Sequence, residues 1–292
     1  MATPAIRTLR RLEGLFCVYK PSGVHWKLVR DTVETNILKG LNAAPPQPLP
    51  RNICFQPQAG GRAEAPGGLT LRTASLPVLA KHPLVTGPEI QHMKVGVGHR
   101  LDVASSGVLV LSVGNGCKAL SNLYSTQVTR EYTVEGEFGT ATADFSHTGR
   151  IVERSTYDHI TQDKLDRVVA MLQGANQKAL LMYSNVDMKS QEAYEMAARG
   201  LLGPEGKSPP ILKGLRCIHF QPPNFTLEVQ CLNDTQKYLR RIVHEIGLEL
   251  RSTAMCKGVR RTRDGPFTLK DALTHQQWTA SDVMQAVSQY HA

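Results

Sequence analysis

The chain has 292 residues, enough for one large domain or two modest ones. Apolar residues make up 41% and charged residues 20%, an ordinary globular composition, and no uninterrupted apolar stretch reaches the roughly 20 residues of a membrane helix, so membrane insertion is not expected. Lys and Arg number 34 against 25 Asp and Glu, a formal charge of +9 that suits a polyanionic partner without establishing one.

Along the chain, Met1 to Arg11 carries Arg7, Arg10 and Arg11 with no acid before Glu13. Residues 1–13 therefore read as a basic tail or a short mitochondrial presequence. Leu15 to Tyr19 reads as a strand that runs into a turn at Lys20-Pro21-Ser22-Gly23. Trp26 to Leu41 has helical character. Residues 42–68 are rich in Ala, Pro, Gly and Gln and read as a loop-like or disordered insertion, with ordered chain resuming by Met93.

Gly107 to Val113 is a continuous apolar run, fitting a strand buried on both faces. Tyr132 to Phe138 alternates, which turns Tyr132 inward toward the core or a cleft. Helices are expected near Thr161–Leu172 and Ser190–Arg199, and Gly203 to Pro210 reads as a second loop. Phe225 to Cys231 alternates again. Asp234 or Thr235 can cap a helix with Leu239, Ile242, Val243, Ile246 and Leu250 on one stripe. Arg260 to Gly265 follows a weak strand, and two short helical patterns close the chain. Successive strands mixed with helices predict an α+β fold with a mixed, largely antiparallel central sheet flanked by helices and loops.

Six cysteines stand apart from one another, with no Cys-x-x-Cys pair and no His/Cys cluster of metal spacing. They read as free thiols in a reducing compartment, and no metal or cofactor is expected. No dinucleotide glycine pattern, P-loop or Gly-x-Ser-x-Gly elbow is present. Asp102, between His99-Arg100-Leu101 and Ser105-Ser106-Gly107, sits in a loop at the mouth of a sheet, as functional residues often do, although a lone Asp there is more often a turn residue. Tyr132 is a core tyrosine or a platform for a nucleobase. Tyr238 with Arg240, Arg241, Arg260, Arg261 and Arg263 forms a basic cluster around an aromatic, or a solvated face.

Six segments in chain order resemble the pseudouridine synthases of the TruB family. They are Lys20-Pro21-Ser22-Gly23; Gly98-His99-Arg100-Leu101-Asp102 with Ser105 to Leu109; Arg130-Glu131-Tyr132; Met182-Tyr183-Ser184 with Tyr194 to Gly200; Tyr238-Leu239-Arg240; and Arg260-Arg261-Thr262 with Gly265 and Phe267. The pattern is most similar to the animal mitochondrial branch. The resemblance implies a catalytic domain over residues 14–275, a C-terminal helix over 276–292 and no room for the RNA-binding PUA domain that TruB enzymes often add. It also implies isomerisation of uridine to pseudouridine in RNA, in mitochondrial tRNA or mRNA stem-loops, without cofactor or metal and in the mitochondrial matrix. Asp102 becomes the nucleophile and Arg240 its ionic partner. Tyr132 would stack on the uracil, Tyr238 would line the pocket and His99 would contact substrate. Lys20, Arg260 and Arg261 would hold RNA.

Three features depart from the family pattern. His99 stands three residues before Asp102, where the TruB branch carries two more, so the loop is closer to the RluA branch. Asp187 replaces a common Lys, and the approach to Tyr238 is about two residues longer. The third is the missing PUA domain. These departures support an alternative, a weakly active or inactive RNA-binding assembly factor. A hydrolase using Asp102 and His99 is a remoter reading.

Overall fold

The computed structural model describes residues 4–43, 49–57, 71–125, 128–183, 189–199 and 210–291. Helix α1 (Pro4–Arg11) leads into strand β1 (Gly14–Lys20) and helix α2 (Trp26–Asn42). Strands β2 (Arg51–Pro57) and β3 (Leu71–Pro77), a short α3 (Pro83–Thr86), β4 (Val95–Val97), β5 (Ser106–Val113) and α4 (Gly116–Ser125) follow. Next come β6 (Arg130–Phe138), β7 (Thr140–Thr142), β8 (Ile151–Arg154), α5 (Gln162–Tyr183) and α6 (Gln191–Arg199). The chain closes with β9 (Ile211–Gln221), β10 (Asn224–Leu232), α7 (Gln236–Glu249), β11 (Ala254–Asp264), β12 (Phe267–Thr268) and α8 (Ala280–His291).

The main sheet has the order β1-β5-β11-β6-β10-β9, with β4 also on β5 and β12 on β11. Its neighbours pair antiparallel except β5 and β11, which run parallel and register Ser106 with Arg260 and Gly107 with Arg261. The α+β reading with a mixed, largely antiparallel sheet is therefore what the chain adopts.

The unbroken apolar run of β5 is explained by cover on both faces. Leu109, Leu111 and Val113 join Phe16 and Val18 beneath Val29, Val33 and Ile37 of α2 and Val283 and Val287 of α8. Val108 and Val110 join Leu15, Cys17 and Leu120 of α4 on the other side. The far half of the sheet alternates because one face packs: Tyr132, Val134 and Phe138 lie under Leu239, Ile242, Val243 and Ile246 of α7 and Leu165 and Val169 of α5.

Two expectations change. Residues 4–11 are helical, and Ala5 and Leu12 are buried in the α2 cluster, so this part of the basic segment is docked and not a loose tail. Of the stretch read as a loop-like insertion, residues 51–57 form a strand paired with 71–77, so the described chain is ordered well before Met93. The Ile53-Cys54-Phe55 segment of β2 lies within a composition dominated by Ala, Pro and Gly. Residues 44–48, 58–70 and 200–209 lie outside the described residues, as does the second loop apart from Pro210.

Candidate active site

Asp102 lies on the loop 98–105 that joins β4 to β5. Beneath the loop, the fully buried Lys20 at the end of β1 donates Nζ hydrogen bonds to the carbonyls of Ser105 (2.6 Å), Pro21 (3.0 Å) and Val103 (3.3 Å). Ser22 Oγ donates to the Ala104 carbonyl (2.8 Å), and the Gly23 amide to that of Val103 (2.8 Å). The Lys-Pro-Ser-Gly turn is thus a cradle for the loop. Burial pulls the Lys20 ammonium down to about 8, helped by the charge of Arg261 and opposed by Asp102.

Behind the loop, Arg261 is also fully buried. It donates from Nε to the Val108 carbonyl (2.7 Å), from Nη2 to the His99 carbonyl (2.8 Å) and from Nη1 to His99 Nδ1 (2.9 Å). At Gly107, φ is +112° and a Cβ would stand 2.1 Å from the Arg261 carbonyl oxygen, so glycine is required where the two strands meet.

Helix α7 supplies the partner of Asp102. Thr235 is the cap, accepting from the Tyr238 amide at 3.2 Å. The buried stripe at Leu239, Ile242, Val243 and Ile246 fixes the helix on the sheet and leaves Arg240 half-buried beside the loop. Arg240 Nη1 donates to Asp102 Oδ2 at 2.6 Å, and the Ser105 amide donates to Oδ1 at 2.8 Å. Asp102 remains 32% exposed. Partial burial pushes its carboxyl up, but the hydrogen bonds from Ser105 and Arg240 and the Arg240 charge outweigh this and hold it below the ordinary carboxylate value. The result is an ionised, oriented and reachable carboxylate. Arg240 Nε is buried without a hydrogen-bond partner in the structure, and a small cleft lined by Ala104, Ser105, Arg240, Cys256 and Val259 adjoins it. Among the described residues no group of three His, Cys, Asp or Glu is arranged to hold a metal ion.

Asp234, the alternative cap, does something else. Asn233, at φ +52°, turns the chain so that Asp234 points into the core. Its carboxylate accepts from Arg130 Nη1 (2.9 Å) and from the Tyr132 hydroxyl (2.5 Å), and its carbonyl accepts from His99 Nε2 (3.1 Å). Arg130 Nε also donates to Asp264 Oδ1 (3.2 Å), and Arg261 lies 3.5 Å from Asp264 Oδ2. Two cations thus face two anions beneath the loop. His99 sits between donor and acceptor as the tautomer with its proton on Nε2. Burial first, then the charge of Arg130, draws its pKa down to about 4, so it is neutral.

A family profile described as the TruB family pseudouridylate synthase N-terminal domain matches residues 88–237, a span that contains Asp102, Tyr132 and Asp234. The chain belongs to the TruB family. It is 56% identical over 281 residues to the human protein named pseudouridylate synthase TRUB2, mitochondrial, covering 96% of this chain and 84% of that one. The Xenopus tropicalis protein of the same name is 52% identical over 292 residues, with 100% and 90% covered. In fold, the chain is similar to an archaeal structure titled as the box H/ACA sRNP Nop10-Cbf5 complex, at TM-score 0.51 and 15% identity. That match covers 97% of this chain and 61% of the archaeal one.

Within this TruB-family chain the site residues expected from sequence separate into groups. Asp102 and Arg240 come together. Tyr238, two residues before Arg240 on α7, is half-buried, and its hydroxyl accepts from Asn176 at 3.2 Å. Arg260 is exposed on β11. Lys20 and Arg261, expected to hold RNA, are corrected: both are fully buried and spend their donors on the loop and its strand. His99, expected at the substrate, has both ring nitrogens engaged by protein partners. Tyr132 is fully buried with its hydroxyl on Asp234, which is the core reading of that residue and leaves no ring face open for stacking in this state. Met182 and Tyr183 end α5, while Ser184 and Asp187 lie outside the described residues. Sequence reasoning missed the role of Asp234, because an acid beside a helix start reads as a cap and nothing local signals a partner 104 positions away.

Proposed function

We propose that this chain isomerises uridine to pseudouridine within structured RNA in mitochondria, with Asp102 as nucleophile. The observation that carries this reading is the Asp102–Arg240 pair, which presents an ionised carboxylate at the mouth of the sheet. The names of the similar relatives supply the reaction class and the organelle, and we take tRNA or mRNA stem-loops as the substrate. The carboxylate attacks the nucleotide, and the bond from ribose to uracil N1 breaks. The base turns and its C5 bonds to the ribose as the bond to the Asp102 carboxylate breaks and frees it, after which C5 loses its proton and N1 gains one. No atom is gained or lost overall, so no co-reactant is required. Arg240 holds the nucleophile charged and aimed. Tyr238 borders the pocket, and Arg260 takes a phosphate. For Tyr132 to stack on uracil, the cover over its ring must open. That cluster includes Leu101 of the catalytic loop, so loop motion on RNA binding is the natural route. Extrusion of the uridine costs a few kcal/mol, which contacts to the RNA backbone offset.

The test is Asp102→Asn, which keeps the size and a hydrogen-bond acceptor but removes the charge. Incubated with a uridine-containing stem-loop, this variant is expected to bind RNA like wild type and to form no pseudouridine by site mapping. Unchanged product formation overturns the assignment. The buried Tyr132 ring favours one second reading, an RNA-binding assembly factor with little activity. Tight RNA binding by wild type with no turnover across a transcript panel selects it.

A further inference from the structure

Beside Asp102, Arg100 of the same loop meets residues of α2 that the sequence motifs do not include. The Arg100 guanidinium stacks 4.6 Å over the ring of Trp26, and Lys27 Nζ and the Arg30 guanidinium each lie 5.8 Å from the same ring. Arg100 and Lys27 are exposed, and among the described residues neither has a carboxylate partner, while Arg30 is paired with Asp31. Arg100 and Lys27 therefore place two uncompensated positive charges at one indole, a setting that an anion would join. The cluster also has a fixed place. The Gly23 amide and Ser22 hydroxyl tie this turn to the Val103 and Ala104 carbonyls, and Arg100 is two residues from Asp102. It sits where α2 begins, an end that favours negative charge.

We infer that Trp26, Arg100 and Lys27 form a platform that grips the RNA strand next to the target nucleotide. The stacked Arg100 presents its planar donors to a phosphate, Lys27 adds a point charge, and the indole meets a base or ribose. This rests on the proposed RNA substrate but not on the identity of the nucleophile.

The chain has two tryptophans, and Trp278 is 3% exposed with its indole N–H donating to the Leu273 carbonyl at 3.0 Å, so Trp26 is the indole that RNA can reach. The full chain carrying Asp102→Asn, titrated with a uridine-containing RNA stem-loop, is expected to show tryptophan quenching that Trp26→Phe abolishes. Arg100→Ala and Lys27→Ala are expected to weaken binding about three- to tenfold each and to lower the salt slope by about one. Circular dichroism identical to the parent keeps misfolding apart from lost contact. Quenching that survives Trp26→Phe, or an unchanged salt slope in the Arg100→Ala, Lys27→Ala double variant, overturns the platform. If otherwise wild-type enzyme makes pseudouridine while RNA never quenches Trp26, only the platform fails; if Asp102→Asn stays active while quenching holds, only the nucleophile assignment fails.

Discussion

At the scale of single residues, charge alone does not say which cations meet RNA. Lys20 and Arg261 belong to the basic inventory, yet both are spent inside the protein. Lys20→Met should therefore leave RNA affinity within about twofold while turnover falls by on the order of a hundredfold, because the loop carrying Asp102 loses its anchor and misplaces the carboxylate. Filter binding beside single-turnover kinetics separates the two, and a large loss of affinity with normal turnover would return Lys20 to the RNA interface. His99 makes a second prediction. Its folded pKa, about 4, lies below the unfolded value of 6.5, so unfolding takes up a proton between these limits. Stability from this group is complete above pH 6.5 and is lost as pH falls toward 4, on the order of 3 kcal/mol in all. Urea titrations at pH 7 and pH 4.5 should show the loss, and His99→Gln should flatten it.

At the scale of elements, strands and helices were legible wherever periodicity was strong. The double-sided burial of β5, the alternation of β6 and β10 and the stripe of α7 follow directly from the sequence. The β2–β3 hairpin was not legible, because Ile53 and Phe55 are exposed and no core pattern marks them. Of the site, Asp102 and Arg240 were legible through ordered motifs. The buried network was not, since Arg130, Asp234 and Asp264 are brought together only by the pairing of β6 with β10 and β11. The loop before Asp102 and the approach to Tyr238, far apart in sequence, meet in space where His99 donates to the Asp234 carbonyl. Asp234→Asn removes the charge facing Arg130 and should cost about 3–5 kcal/mol of stability, the penalty of an uncompensated buried cation. Chemical denaturation measures it. A loss under about 1 kcal/mol would show that Asp264 alone satisfies Arg130.

At the scale of the whole molecule, the sheet has two unlike halves. One, built on β1 and β5, is packed on both faces and carries the loop with Asp102. The other, β11-β6-β10-β9, is packed by α7 and α5 and carries Arg240. Among the described residues, β5 and β11 register at two residue pairs, Ser106 with Arg260 and Gly107 with Arg261, and the Arg261 side chain adds hydrogen bonds to the Val108 and His99 carbonyls. Asp102 and Arg240 thus come from the two sides of this seam, and their 2.6 Å contact spans it, beside the contact of His99 with the Asp234 carbonyl. The ion pair spans this seam, so a change that separates the two sides lengthens the contact and leaves the Asp102 carboxylate without its counterion.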